Sequence, residues 1–241
     1  MVLKAVLFDF NGVIINDEAI HEQLIEQLLI EENLRLAAGE FSRVCLGRSD
    51  RACLTELLAS RGRVVTEAYL MDLMVRKARA YQRQLDTLEK LPIYPGLADL
   101  MFNLRAAQLK LAVVSGALRS EIELVLQKSQ LAAYFSVIVA GDDITTSKPE
   151  PDGYLLAVER LNQQHPELNL QPNECLAIED TPAGIQAAKR AGIPVVGVAN
   201  TYPFHMMQRQ ANWAVDYLSD LELERVQQVY SQANTQSTAP R

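Results

Sequence analysis

Cysteine is scarce in this chain: Cys45, Cys53 and Cys175 are the full set, an odd number with no C-x-x-C pair. That argues against a disulfide framework or a dithiol redox motif. Cys45 and Cys53 fall in helical patterns and Cys175 opens an apolar run, so three buried thiols in a reducing compartment are expected. Histidine is equally sparse, and neither His21, His165 nor His205 stands at zinc-ligand spacing from a cysteine. No stretch approaches the ~18 apolar residues of a membrane span. The short apolar run at residues 2–8 is broken by Asp9, which a secretory signal would not tolerate. Positive charge is in deficit too, with 23 Lys and Arg against 30 Asp and Glu and a net charge of -7. Such a surface repels phosphate backbones, so nucleic acid is not an expected partner, nor is a membrane. A cytoplasmic monomer is the expectation.

What is present suits a globular protein with a sizeable core: 49% of the 241 residues are hydrophobic and 22% charged. Short apolar runs without polar alternation recur at 2–8, 111–114, 137–140, 176–178 and 195–198, the signature of strands buried on both faces. Helical periods fill most of the gaps, at 96–108, 120–127, 152–162 and 182–191. This alternation predicts an α/β fold, a doubly wound parallel sheet of Rossmann-like type. Residues 17–90 break the pattern with helical periods alone, punctuated by Gly39, Gly47 and Gly62, and predict an inserted four-helix unit. The expected organisation is a core of 1–15 and 92–232, a helical cap of 16–91, and a polar, disordered tail of 233–241.

Ligands of parallel sheets bind at the carboxyl ends of the strands, and there the chemistry accumulates. The first strand ends in Asp9-Phe10-Asn11-Gly12-Val13, a carboxylate followed by a tight turn. The second ends in Ser115-Gly116-Ala117, a hydroxyl and open backbone N–H groups beside a helix start, which favours an anion. The third leads to Ser147-Lys148-Pro149, and the fourth ends in Glu179-Asp180-Thr181-Pro182, with Thr181 as N-cap and Pro182 as first helical residue. Each motif alone is weak; four of them at the tips of one sheet are specific. Asp9 and Asp180 offer oxygen ligands to a hard cation, while Ser115 and Lys148 hold phosphoryl oxygens and leave Asp9 to attack phosphorus.

With these four motifs in this order, the sequence resembles the haloacid dehalogenase-like superfamily over residues 2–200. The insert resembles the four-helix cap of the subfamily that contains β-phosphoglucomutase and many sugar-phosphate phosphatases. The resemblance implies a Mg²⁺-dependent phosphohydrolase of a small phosphorylated metabolite, working through an aspartyl-phosphate on Asp9. It places Mg²⁺ on Asp9, the backbone carbonyl of Asn11 and Asp180, assisted by Glu179. It also assigns substrate contacts to His21, twelve positions after Asp9, to Gly47 and Arg48 in a cap loop, to Lys77 with Tyr81 close by, and to the Gly116 N–H.

One departure limits the expectation. Phosphate-ester-cleaving relatives carry a second Asp two residues after the nucleophile to protonate the leaving alcohol and activate water; here it is Asn11. Positioned acid–base catalysis contributes about 10²–10⁴ in rate, roughly 3–5 kcal/mol. The readings that follow are a slow or selective phosphatase, a mutase of the β-phosphoglucomutase type, a phospho-metabolite binder without turnover, and an Asn11 introduced by engineering to trap a complex. Against the mutase, Asp50 stands where an arginine is expected, with Arg51 next to it. His21 is the nearby candidate to replace the missing acid–base group.

Overall fold

The computed structural model describes residues 2–237. Among them are six strands, β1 (Ala5–Phe8), β2 (Lys110–Val114), β3 (Val137–Val139), β4 (Cys175–Glu179), β5 (Val195–Val198) and β6 (Trp213–Val215). They form one parallel sheet in the order β3-β2-β1-β4-β5-β6. The helices are α1 (Glu18–Glu31), α2 (Glu40–Val44), α3 (Asp50–Ala59), α4 (Glu67–Asp86), α5 (Leu97–Ala106), α6 (Arg119–Lys128), α7 (Asp152–Gln164), α8 (Pro182–Arg190), α9 (Phe204–Gln210) and α10 (Leu223–Ser237). The doubly wound parallel sheet is as expected. β1 and β4 lie at its centre and are buried along their whole length, which is why they read as unbroken apolar runs. The expectation missed β6, a three-residue strand of intermediate burial at the sheet edge.

Separate apolar clusters fill the two sides of the sheet. Phe8, Phe10, Val113, Ile122 and Ile178 pack on one side, and Leu7, Val114, Tyr154, Ala177 and Ile185 on the other. This follows from the period of two along each strand. The four helices α1–α4 gather around a third cluster that includes Ile25, Leu29, Phe41, Leu54, Leu57 and Leu73. Gly39, Gly47 and Gly62 all take positive φ between those helices. The insert joins the core through two adjacent chain passages, where Asn16 N–H donates to the Pro92 carbonyl and Tyr94 N–H to that of Ile14.

Two expectations need adjustment. The proposed tail is helical as far as Ser237, since α10 continues through it; its remainder lies outside the described residues. Cys45 and Cys53 form a disulfide rather than two free thiols, and Cys175 alone is free and buried. The Gly47 turn folds the loop between α2 and α3 back on itself, bringing the two Cα atoms to 4.5 Å, within bridging range. This pairing removes the thiol-based argument for a reducing compartment. No described helix is long and apolar enough to cross a membrane.

Candidate active site

β1, β2 and β4 end side by side, so their C-terminal residues converge. Asp9 follows β1, Ser115 follows β2, Glu179 ends β4 and Asp180 follows it. Lys148 reaches in from the loop after β3, its Nζ 2.7 Å from Asp9 Oδ1 and 2.7 Å from Glu179 Oε1. Glu179 is fully buried beneath the cleft and also accepts from the Tyr154 hydroxyl at 2.6 Å. Ligand oxygens of Asp9, Glu179 and Asp180 lie within 4.8 Å of one another. Three buried carboxylates thus stand against one buried ammonium, which pairs with two of them.

That imbalance shows in the titration of the group. Burial pushes the Glu179 carboxyl up to about 8, reinforced by the Asp9 charge and opposed by Lys148 and Tyr154. Burial, Asp9 and Glu179 likewise drive Asp180 well above the ordinary range, opposed by the hydrogen bond from Thr201. Burial would lower the Lys148 ammonium, but Asp9 and Glu179 more than offset it and hold it above the usual lysine value. Asp180 Oδ1 is buried and has no hydrogen-bond partner among the described residues. A buried orphan oxygen within an all-oxygen cluster of excess negative charge fits a hard divalent cation.

The turn after β1 is built for this crowding. Gly12 has φ +77°, and a Cβ there would fall 1.8 Å from Asp180 Oδ2. The Gly12 carbonyl is held by Asn200 Nδ2 at 2.7 Å. Across the cleft, the loop between α2 and α3 presses onto the core: a Cβ on Gly116 would lie 2.8 Å from Ser49 N, and Ser49 N–H donates to Ser147 Oγ at 2.8 Å. The Ser115 hydroxyl accepts from Ala117 N–H at 3.0 Å. Thr181 caps α8 as expected, accepting from Gly184 N–H at 3.1 Å.

Of the residues singled out from sequence, Asp9, Asn11, His21, Gly47, Arg48, Lys77, Ser115, Gly116, Lys148 and Asp180 all line one cleft between the sheet tips and the insert. Glu179 lies below it. Arg48 lines the cleft, yet its guanidinium is committed to Glu56 and the Val44 carbonyl.

Asp17 and Glu18 were not anticipated. Asn11 Nδ2 donates to both oxygens of Asp17, at 3.0 and 3.1 Å, and lies 3.0 Å from His21 Nε2. Asp17 also receives the Tyr81 hydroxyl and stands 3.2 Å from His21 Nε2, whose ring stacks on Tyr81. Asp17 precedes α1 at the N-cap position without capping it, because its carboxylate is turned into this network. Its spacing of four from His21 was a visible signal. Burial opposes the Asp17 carboxylate, but His21, Asn11 and Tyr81 together hold its pKa below the usual value. Burial and Lys77 oppose the His21 imidazolium, yet Asp17 raises it above the ordinary value. Glu18, also on the cleft, is pushed up to about 7 by burial and then by Asp17.

A family model described as haloacid dehalogenase-like hydrolase matches residues 6–198. The chain is 29% identical to β-phosphoglucomutase of Bacillus subtilis (strain 168), covering 99% of this chain and 100% of the relative. It is 26% identical to protein CbbY of Rhodobacter capsulatus, covering 91% and 95%. A crystal structure of β-phosphoglucomutase from Clostridium difficile superposes with a TM-score of 0.81 at 23% identity, over 98% of this chain and 100% of that one.

Proposed function

The chain belongs to the haloacid dehalogenase-like hydrolase family, and from that premise we propose that it is a Mg²⁺-dependent phosphohydrolase of a small phosphorylated sugar, with Asp9 as nucleophile. The observation that carries the reading is the convergence of Asp9, Asp180, Glu179 and Lys148 at the strand tips, with Asp180 Oδ1 buried and unpartnered. The relatives' names, β-phosphoglucomutase among them, point to phosphorylated sugars as the substrate class.

In this reading Asp9, Asp180 and the Asn11 backbone carbonyl hold Mg²⁺, with Glu179 beside them. When bound, the ion offsets charge on the phosphoryl oxygens. The Ser115 hydroxyl, the Gly116 N–H and the Lys148 ammonium hold those oxygens. An Asp9 carboxylate oxygen forms the new bond to phosphorus as the bond to the sugar oxygen breaks. Residues 16–91 serve as a cap that excludes water while this happens. The departing alkoxide needs a proton, and later a water must lose one. The Asn11 amide serves neither step, and its N–H groups are engaged by Asp17. Turnover is therefore slow, and the phospho-Asp9 form outlives that of an enzyme with a carboxylate at position 11.

Asn11 favours one second reading, a phospho-sugar-binding protein with the same pocket and no turnover. The test is to incubate the chain with Mg²⁺ and a panel of sugar phosphates, quench in acid, and seek a phosphoryl group on Asp9 by mass spectrometry. Phospho-Asp9 that Asp9→Asn abolishes supports the hydrolase. Mg²⁺-dependent binding without phospho-Asp9 selects the binder, and neither binding nor modification removes both.

A further inference from the structure

The two ends of the cleft differ in charge. At the strand tips, Lys148 faces into a site with a hydroxyl and backbone N–H groups beside it. On the opposite wall, the buried Lys77 of α4 is already matched. Its Nζ is 2.6 Å from Asp50 Oδ2, on the first residue of α3, and 3.4 Å from Glu121 Oε1. Glu121 belongs to α6 of the core and is buried, with its second oxygen accepting the Leu118 N–H at 3.3 Å. The other cation of this wall, Arg48, is paired with Glu56. His21 is paired with Asp17. Each positive group facing the far end of a bound substrate therefore has a carboxylate of its own.

We propose that Asp50 and Glu121, by claiming Lys77, make this a monophosphate site whose far wall takes the neutral hydroxyl-bearing end of a sugar and rejects a second phosphate. The inference rests on the phosphoryl-transfer reading of the strand-tip end and deepens it by specifying the substrate class. Neutral hydroxyls both donate and accept, so they insert among Lys77, Asp50 and Glu121 without displacing a charge. A phosphate dianion in the same place would meet Lys77 only alongside two carboxylates, and like-charge juxtaposition is strongly unfavourable. Glu121 has no route to solvent by which to withdraw, being buried and held by backbone. The same electrostatics disfavour a sugar bisphosphate as a bound intermediate. A mutase that regenerates its phospho-enzyme through a bisphosphate is therefore poorly served by this cleft.

The test compares paired ligands on the full chain with Mg²⁺: glucose 6-phosphate against glucose 1,6-bisphosphate, and ribulose 5-phosphate against ribulose 1,5-bisphosphate. Binding is read by calorimetry, or as relative kcat/KM where turnover intervenes. In the wild type the bisphosphate of a binding pair should be weaker by about tenfold or more. Asp50→Asn and Glu121→Gln preserve shape while removing charge, and each should shift the ratio toward the bisphosphate by about tenfold. Equal or tighter binding of the bisphosphate by the wild type overturns the inference while leaving the phosphoryl-transfer reading intact. So does a ratio unmoved by both variants. If no member of either pair binds, the reading of the strand-tip site fails and this inference goes with it.

Discussion

Replacing Asp180 by Asn should stabilise the metal-free protein and abolish its response to Mg²⁺. Ligand oxygens of Asp9, Glu179 and Asp180 lie within 4.8 Å of one another, and Lys148 bridges Asp9 and Glu179 without a contact to Asp180 at ion-pair distance. At that separation and an effective dielectric of about 20, each like-charge pair costs about 3–4 kcal/mol. Asn keeps an oxygen for the Thr201 hydroxyl and replaces a charge with a dipole. Since the carboxyl escapes part of the repulsion by taking up a proton, a net gain of about 2–4 kcal/mol near pH 8 is expected. At 2–4 °C per kcal/mol for a chain of this size, Tm should rise by about 4–16 °C in EDTA. Mg²⁺ at a hundred times its Kd should add about 2.7 kcal/mol to the wild type and little to the variant.

The sign of the pH dependence follows from the same groups. Asp180 and Glu179 both have folded-state pKa values raised above their unfolded values of about 4. Their contribution to stability is fully present below about pH 4 and is lost as pH climbs through the folded values, about 8 for Glu179. Metal-free wild type should thus lose Tm between pH 5.5 and 8 while its Mg²⁺ response grows, and Asp180→Asn should flatten both trends. Melts by circular dichroism with EDTA or Mg²⁺ decide it. A variant that melts lower than wild type in EDTA, or that gains as much from Mg²⁺, refutes the reasoning.

Gly12→Ala should cost at least about 2 kcal/mol, because the residue is left-handed and the new Cβ would meet Asp180 Oδ2 at 1.8 Å; denaturant melts measure the loss, and the Mg²⁺ response should vanish with it. Thiol titration of the unfolded, unreduced chain should find one reactive cysteine, Cys175, rising to three after reduction; three at the outset would contradict the Cys45–Cys53 pairing. The Asp17–His21 pair contributes fully only below the unfolded imidazole value of about 6.5, and its contribution falls as pH rises through the higher folded value. His21→Gln should accordingly lose more Tm at pH 6 than at pH 8.5, and a uniform loss would show that His21 is uncharged in the fold.

The sheet was legible because buried parallel strands have no polar face: β1, β2, β4 and β5 stand out as short apolar runs, and the first three end abruptly at a polar residue. The same feature exposed the site, since Asp9, Ser115 and Glu179 are the residues at which those runs stop, with Asp180 next in the chain. β6 escaped because an edge strand of three residues leaves no comparable run. The cross-connections were harder to read. Glu121 looks like an ordinary first-turn acid of α6, and only folding the insert over the core brings Lys77 to it. Asp17 stands at the N-cap position of α1, and the diversion of its carboxylate to Asn11 and His21 depends on how α1 and α4 stack. The Cys45–Cys53 bridge was missed for a similar reason: Gly47 was legible as a break between helices, but the spacing does not say that its left-handed turn brings the two cysteines together.

In the proposed reading one amide, that of Asn11, holds back the phosphoryl-transfer site. The most direct measurement is phosphate release from sugar monophosphates with Mg²⁺, for the wild type and Asn11→Asp side by side. Restoring a carboxylate two residues after Asp9 should raise the rate by about 10²–10⁴. An Asn11→Asp protein that releases phosphate no faster than the wild type, from any monophosphate that binds, would contradict the account.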